Sequence, residues 1–166
     1  MALVGANPAL TATVLDRSQV CGQARELIAE AGLSGRVDTL EGDFFLEDYP
    51  GGYDVHLYSS ILHNFNSDVG LALLTKSHRF LPPGGQVFIV EYVLDQDRTS
   101  PAFGALFNLF AITTMEGGEA RTFEEIRRWL EAVGFGKIGI KALLGPWSLI
   151  HATKEPRSLG TAQSIR

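Results

Sequence analysis

Strand-like apolar runs alternate with helical patterns along almost the whole of this 166-residue chain. The strand-like runs cover residues 11–15, 37–40, 54–59 and 86–93. This alternation is typical of a mostly parallel sheet that is covered by helices. Two further runs, 137–144 and 148–153, are joined across Gly145-Pro146 and predict a closing antiparallel hairpin. The sequence therefore predicts an α/β fold.

Helical spacing of apolar residues fills the intervals between these strands. The predicted helices cover residues 18–31, 68–81, 101–115 and 123–133. The helix after Thr122 has the clearest boundaries, because Thr122 and Glu125 form a capping-box pattern and Gly134 supplies a stop.

Length and composition favour one domain. With 45% hydrophobic residues, a chain of this size can bury a sizeable core. We expect this domain to cover residues 1–154 and a disordered tail to follow over 155–166.

The charge balance limits the classes of partner. The net charge of −5 argues against a nucleic-acid or anionic-membrane surface and favours a small-molecule acceptor. No apolar stretch reaches the roughly 18 residues of a membrane span. The start of the chain lacks a signal-peptide pattern, and the single cysteine, Cys21, cannot form an internal disulfide. These features predict a cytoplasmic protein with no membrane association.

Polar side chains of catalytic type occur at or near the ends of the predicted strands. His63 lies just past the strand at 54–59, and an unperturbed imidazole can accept a proton at neutral pH. Glu91 is a lone acid in an apolar strand, where a carboxylate is costly unless it is paired. The alternative for His63 is a partly buried structural histidine, and for Glu91 a strand-end residue that reaches solvent. No cluster has metal-ligand spacing, so no metal site is predicted.

Six short motifs occur in a characteristic order. They are Leu15-Asp16, Gly42-Asp43-Phe44-Phe45, Ile61-Leu62-His63-Asn64-Phe65, Leu81-Pro82-Pro83-Gly84-Gly85, Val90-Glu91 and Gly117-Gly118-Glu119-Ala120-Arg121-Thr122. In this order they resemble the S-adenosylmethionine-dependent O-methyltransferases of plant and microbial secondary metabolism. The resemblance spans nearly the whole chain and implies the Rossmann-like sheet of class I methyltransferases.

The resemblance assigns catalytic roles to two residues. His63 matches the family's general base, which takes the proton of an acceptor hydroxyl during methyl transfer. Glu91 matches the acid that holds this histidine. A second family acid falls at Ala120, and Glu119 stands one position earlier.

The resemblance also implies binding residues. Asp16 matches the acid that binds the cofactor ribose, although it could instead cap a helix. Asp43 and Phe44 match the pair that contacts adenine, and a turn acid beside a core aromatic is the alternative. Ser59 stands near the cofactor where many members carry lysine, and Asn64 stands where many carry aspartate. Phe107, Phe110 and Ala111 lie on the helix that lines the acceptor pocket in relatives, unless this apolar stripe is simply core.

Two features of the family are not found in this sequence. The first strand with its glycine-rich cofactor loop and the N-terminal domain through which full-length relatives form homodimers have no counterpart. Residues 1–10 instead resemble the helix that follows this loop in the family. We therefore expect a first strand to be missing and the sheet to be interrupted.

Two alternative functions stay open. One is a truncated or degenerate remnant without catalysis. A nicotinamide-dependent oxidoreductase would explain Asp16 but not His63 with Glu91, and it also needs a glycine-rich loop.

Overall fold

A computed structural model describes residues 1–156. The helices are α1 (Ala2–Ala6), α2 (Ser18–Glu30), α3 (Ser67–Phe80), α4 (Ala102–Thr114) and α5 (Phe123–Val133). The strands are β1 (Ala12–Asp16), β2 (Val37–Glu41), β3 (Val55–Ser59), β4 (Gln86–Glu91), β5 (Phe135–Ala142) and β6 (Ser148–Lys154). The predicted disordered tail falls mostly on residues 157–166, which lie outside the described part of the chain.

The chain forms two compact units, of which the first is Met1–Tyr49. In this unit β1 and β2 are parallel, from the pair Ala12 and Val37 to the pair Asp16 and Glu41. Val4, Ile28 and Val37 form its apolar core. Cys21 is buried, and its Sγ donates a hydrogen bond to the Asp16 carbonyl oxygen at 3.2 Å.

The second unit begins at Pro50 and contains a four-stranded sheet in the order β3-β4-β6-β5. Strands β3 and β4 are parallel, and α3 supplies the crossover between them. Strand β6 runs antiparallel to both β4 and β5. The parallel pair places the ends of β3 and β4, which carry Ser59 and Glu91, at the same edge of the sheet.

The α/β fold predicted from the sequence is confirmed, and the described strands form a mixed set of parallel and antiparallel pairs. They lie in two separate sheets, which agrees with the expected interruption. The hairpin of β5 and β6 turns at Gly145, whose φ of +73° is a left-handed conformation that glycine tolerates.

Two helix boundaries have clear local causes. Helix α5 begins with the predicted capping box of Thr122 and Glu125 and ends at Gly134, which has a left-handed φ of +103°. Helix α1 covers only Ala2–Ala6 of the predicted stretch, because Pro8 disfavours helical geometry at Asn7. None of the helices described in residues 1–156 is long and apolar enough to cross a membrane.

Candidate active site

The turn after β3 carries His63. Ser60 bends the chain out of the strand with a φ of +59°, which is uncommon for a residue other than glycine. The side-chain amide of Asn64 then donates to the carbonyl oxygens of Ser60 and Ile61, each at 3.0 Å. The turn is therefore closed by its own side chain, and His63 is held within a short helical segment, Leu62–Asn64.

Glu91, at the end of β4, binds this turn from the neighbouring strand. Its Oε1 accepts hydrogen bonds from the backbone N–H groups of Ile61 at 3.1 Å and Leu62 at 2.9 Å. Its Oε2 lies 2.5 Å from Nδ1 of His63. Both side chains are buried, His63 being 7% exposed and Glu91 3%. One carboxylate thus fixes both the backbone of the turn and the orientation of the imidazole.

This geometry selects a tautomer of His63. An ionised carboxylate can only accept hydrogen bonds, so Nδ1 carries the proton that is donated to Glu91. In the neutral imidazole the unprotonated nitrogen is then Nε2, which is the arrangement that a general base requires.

The 117–122 segment supports the same turn from a second side. The Glu119 N–H donates to the His63 carbonyl oxygen at 2.9 Å, and the Arg121 guanidinium donates to the carbonyl oxygen of Phe65 at 3.1 Å. Arg121 is buried over the ring of Trp129, 4.5 Å from its centre. Burial lowers the pKa of Arg121, and Glu119 opposes this shift.

Acidic residues in and just after this segment form ion pairs with Arg98. Arg98 contacts Glu119 and Glu125, each at 2.5 Å. Ala120, at the position of the second family acid, is completely buried. The backbone N–H of Glu119 and the guanidinium of Arg121 both bind carbonyl oxygens of the turn that carries His63.

Aromatic rings surround the buried pair. Phe107 packs edge-on against His63 with centroids 4.7 Å apart, and Tyr92 stacks near it at 6.2 Å. Phe110 lies beside Phe107 at 6.1 Å, and Ala111 is buried on the same helix, α4. Burial raises the pKa of the Tyr92 phenol and the Glu91 carboxylate raises it further, so Tyr92 stays neutral. His63 is therefore set in apolar surroundings.

Two cavities of different size adjoin these residues. One of about 10 Å³, lined in part by His63, Glu91 and Arg121, has room for about one water molecule. The other is an open cleft of about 390 Å³ that Ser59, Ser60, Val90, Leu143, Leu144 and Trp147 line. Only the second of these two is large enough for an aromatic ring.

The first unit carries the other predicted binding residues. Asp16 ends β1, and its carbonyl oxygen accepts a hydrogen bond from the Gly42 N–H at 3.0 Å, directly before Asp43. The Asp43 carboxylate accepts from the N–H of Phe45 at 2.8 Å, and the Phe44 and Phe45 rings lie 4.4 Å apart. Asp16, Asp43 and Phe44 therefore share the carboxyl edge of the two-stranded sheet.

Sequence reasoning assigned no role to Tyr92, Arg121 or Trp147. Arg121 lies within the motif at 117–122, and Tyr92 directly follows Glu91, so the sequence marks both as neighbours of predicted site residues. Trp147 had none beyond its place next to a Gly-Pro turn. No group of three or more His, Cys, Asp or Glu side chains within residues 1–156 is arranged to hold a metal ion.

Comparisons with known proteins show the family to which the chain belongs. The model of the O-methyltransferase domain family matches residues 1–136. The 3-hydroxy-5-methyl-1-naphthoate 3-O-methyltransferase of Streptomyces sahachiroi is 36% identical over 132 residues, which is 80% of this chain and 38% of that enzyme.

Two solved structures share the fold. The S-adenosylmethionine-dependent methyltransferase SibL, in its apo form, superposes with a TM-score of 0.86 and 34% identity over 93% of this chain and 46% of its own. Human N-acetylserotonin methyltransferase in complex with SAM gives a TM-score of 0.84 and 26% identity over 92% of this chain and 43% of its own. The chain spans less than half the length of each of these three relatives.

Proposed function

Because this chain belongs to the O-methyltransferase domain family, whose members depend on S-adenosylmethionine, we propose that it transfers a methyl group to a hydroxyl of a small aromatic or polyketide-like metabolite. The observation that carries this proposal is the buried pair of His63 and Glu91 at the ends of two parallel strands. Fold alone would not suffice, since one fold supports many functions.

His63 acts as the general base in this proposal. Its Nε2 takes the proton of the acceptor hydroxyl, and the positive charge that forms on the ring is stabilised by Glu91 at Nδ1. The turn does not need to reorganise during proton transfer, because Glu91 also binds its backbone N–H groups. General-base assistance of this kind contributes about 10²–10⁴-fold to the rate.

The residues at the carboxyl edge of β1 and β2 fit the adenosine part of the cofactor. Carboxylates accept hydrogen bonds from hydroxyl and amino groups, and an aromatic ring offers a flat apolar surface. Asp16 would hold the ribose hydroxyls, and Asp43 with Phe44 would hold adenine, as the family resemblance implies. Ser59, at the end of β3, is a further cofactor contact. When bound, S-adenosylmethionine supplies an electrophilic methyl group on its sulfonium sulfur.

The acceptor contacts are proposed at Phe107, Phe110 and Ala111 on α4, and at Asn64 beside the base. Support comes from Phe107, whose ring touches the imidazole. Asn64 acts by shaping the turn, since its amide donates to two carbonyl oxygens there. We further propose, as the family resemblance implies, that a full-length form of the protein is homodimeric, and that the enzyme works in the cytoplasm.

The first experiment is calorimetric titration of the 166-residue chain with S-adenosylmethionine, with circular dichroism to establish that it is folded. Saturable binding supports the proposed enzymatic function. A folded chain that does not bind the cofactor would instead be a non-catalytic remnant, and the proposal would be lost.

The second experiment measures methyl transfer to 3-hydroxy-5-methyl-1-naphthoate by wild type, His63→Ala and Glu91→Gln. We expect both variants to lower kcat by about 10²–10⁴-fold. His63→Ala removes the base, and Gln at position 91 is uncharged and has only one acceptor oxygen, so its NH2 group must face either the imidazole or the backbone N–H groups of the turn. The control is His151→Gln, on β6. A loss of only a few-fold in His63→Ala would refute the role of His63 as base.

A further inference from the structure

The β5–β6 hairpin continues beyond the part of the chain that the family model describes. That match ends at residue 136, whereas β6 ends at Lys154. The connecting loop carries Leu143, Leu144 and Trp147. The Leu143 N–H donates to the Trp147 carbonyl oxygen at 2.9 Å, so the loop is a closed turn with a defined conformation.

Trp147 is in contact with the aromatic surroundings of His63. Its ring stacks on Tyr92 at 3.9 Å with an interplanar angle of 26°. Tyr92 in turn contacts Phe107 at 4.5 Å, and Phe107 contacts His63 at 4.7 Å. A continuous series of rings therefore leads from the hairpin loop to the imidazole.

The same loop forms one side of the 390 Å³ cleft. Leu143, Leu144 and Trp147 line this side, while Ser59, Ser60 and Val90 at the strand ends line the other. Ligand pockets for small molecules typically enclose about 300–1,000 Å³ and combine an apolar lining with a few polar groups. The cleft thus has the size and the polarity of a site for one planar organic molecule.

We propose that Trp147 is an acceptor-binding residue that determines specificity for planar, fused-ring hydroxyaromatic acceptors. Its indole, with Leu143 and Leu144, forms the apolar wall against which the part of the acceptor remote from the reacting hydroxyl packs. This inference rests on the proposed function for the identity of the reaction, but binding of the acceptor does not require that a methyl group be transferred.

The test measures binding of 3-hydroxy-5-methyl-1-naphthoate to the 166-residue chain by calorimetry and by quenching of tryptophan fluorescence. Trp147→Ala is expected to raise the Kd for the naphthoate about tenfold or more, because a stacked indole is lost. Trp147→Phe keeps an aromatic surface and is expected to stay within about threefold of wild type. Leu109→Ala, an exposed apolar residue on α4 outside the cleft, is the matched control.

Three further readouts decide the outcome. Binding of S-adenosylhomocysteine is expected to be unchanged in Trp147→Ala, and phenol, which has one ring, should show a much smaller effect of the substitution than the naphthoate. Quenching by the naphthoate should largely disappear in Trp147→Phe, since the remaining tryptophan, Trp129, is buried under Arg121. Circular dichroism of each variant checks that it is folded.

The inference and the proposed function fail in different ways. A wild-type chain that binds the naphthoate through Trp147 but transfers no methyl group would contradict the proposed function and leave the inference standing. The inference is overturned if the wild type does not bind the naphthoate, or if Trp147→Ala leaves its Kd unchanged. It is also overturned if naphthoate and S-adenosylhomocysteine lose affinity equally.

Discussion

The Glu91 carboxylate shows how a buried charge can be tolerated. An unpaired carboxylate in an apolar strand would be strongly destabilising. One oxygen of Glu91 accepts hydrogen bonds from backbone N–H groups, and the other accepts one from the imidazole. The same bonds that compensate its burial also determine the tautomer of His63. Stability and chemistry therefore impose the same requirement at this residue.

His56 gives a pH-dependent contribution to stability. Its Nδ1 lies 2.9 Å from the buried Ser77 hydroxyl, and burial lowers the pKa of His56 to about 4, against about 6.5 when unfolded. Between these values the unfolded chain binds more protons, so the free energy of unfolding falls as the pH falls from 6.5 towards 4. We expect wild type to lose more Tm than His56→Gln between pH 7 and pH 4.5 in thermal melts. Parallel Tm curves for the two proteins would contradict this expectation.

Individual side chains were predictable only where motif order or local chemistry marked them. His63 and Glu91 were singled out as a strand-end base and a lone buried acid, and the structure brings them into hydrogen-bond contact. Their catalytic roles stay predictions. The stack of Tyr92 on Trp147 joins residues that are far apart in the sequence, and no local pattern encodes such a contact.

Helices α3 and α5 pack closely at a glycine, and this packing is linked to the candidate active site. A Cβ at Gly70 would lie 2.6 Å from Cζ3 of Trp129. Trp129 supports the guanidinium of Arg121, which binds the turn of His63. The contact between two helices therefore helps to set the position of His63.

Alanine substitutions at two helical glycines should have opposite effects. We expect Gly70→Ala to lower the free energy of unfolding by about 1–3 kcal/mol, because Trp129 has to move within a packed core. Gly22→Ala, on α2, is the matched control, since nothing lies within 4 Å of the added Cβ. It should raise the free energy of unfolding by about 0.5–1 kcal/mol, because alanine favours the helix. Urea unfolding followed by circular dichroism measures both, and a stabilising Gly70→Ala would contradict the packing argument.

The elements themselves were largely predictable, because hydrophobic periodicity and end signals are local. The capping box and Gly134 set the limits of α5 to within a residue. Helix α4 shows the limit of such reasoning: its aromatic positions were evident, yet Phe107 contacts His63 whereas Phe103 and Phe110 are about half exposed. Which side of an apolar helix meets the site depends on tertiary contacts that periodicity does not contain.

At the scale of the whole molecule, the two units differ in the size of the sheet and of the apolar core that stabilise each of them. The first has a two-stranded sheet and a core centred on three buried residues, Val4, Ile28 and Val37. Two-stranded sheets are only marginally stable unless helices cover them. The second has a four-stranded sheet whose strands β4 and β6 contain Val87, Ile89 and Ile150, all fully buried.

This difference predicts that amide hydrogen exchange is faster in the first unit than in the second, and that cofactor binding slows exchange at particular residues of the first unit. Amides of β1 and β2 should exchange through lower-energy openings than those of β4 and β6, because less apolar surface holds them. The backbone N–H groups of Arg17 and Phe45 donate hydrogen bonds to the carboxylates of Asp16 and Asp43. If these two acids bind the adenosine part of the cofactor, S-adenosylhomocysteine should slow hydrogen exchange at Arg17 and Phe45. Exchange detected by mass spectrometry with and without the ligand measures both effects, and Leu33, near neither acid in sequence, serves as the internal control. Binding that protects β4 and leaves residues 16–17 and 43–45 unchanged would remove these acids from the cofactor site.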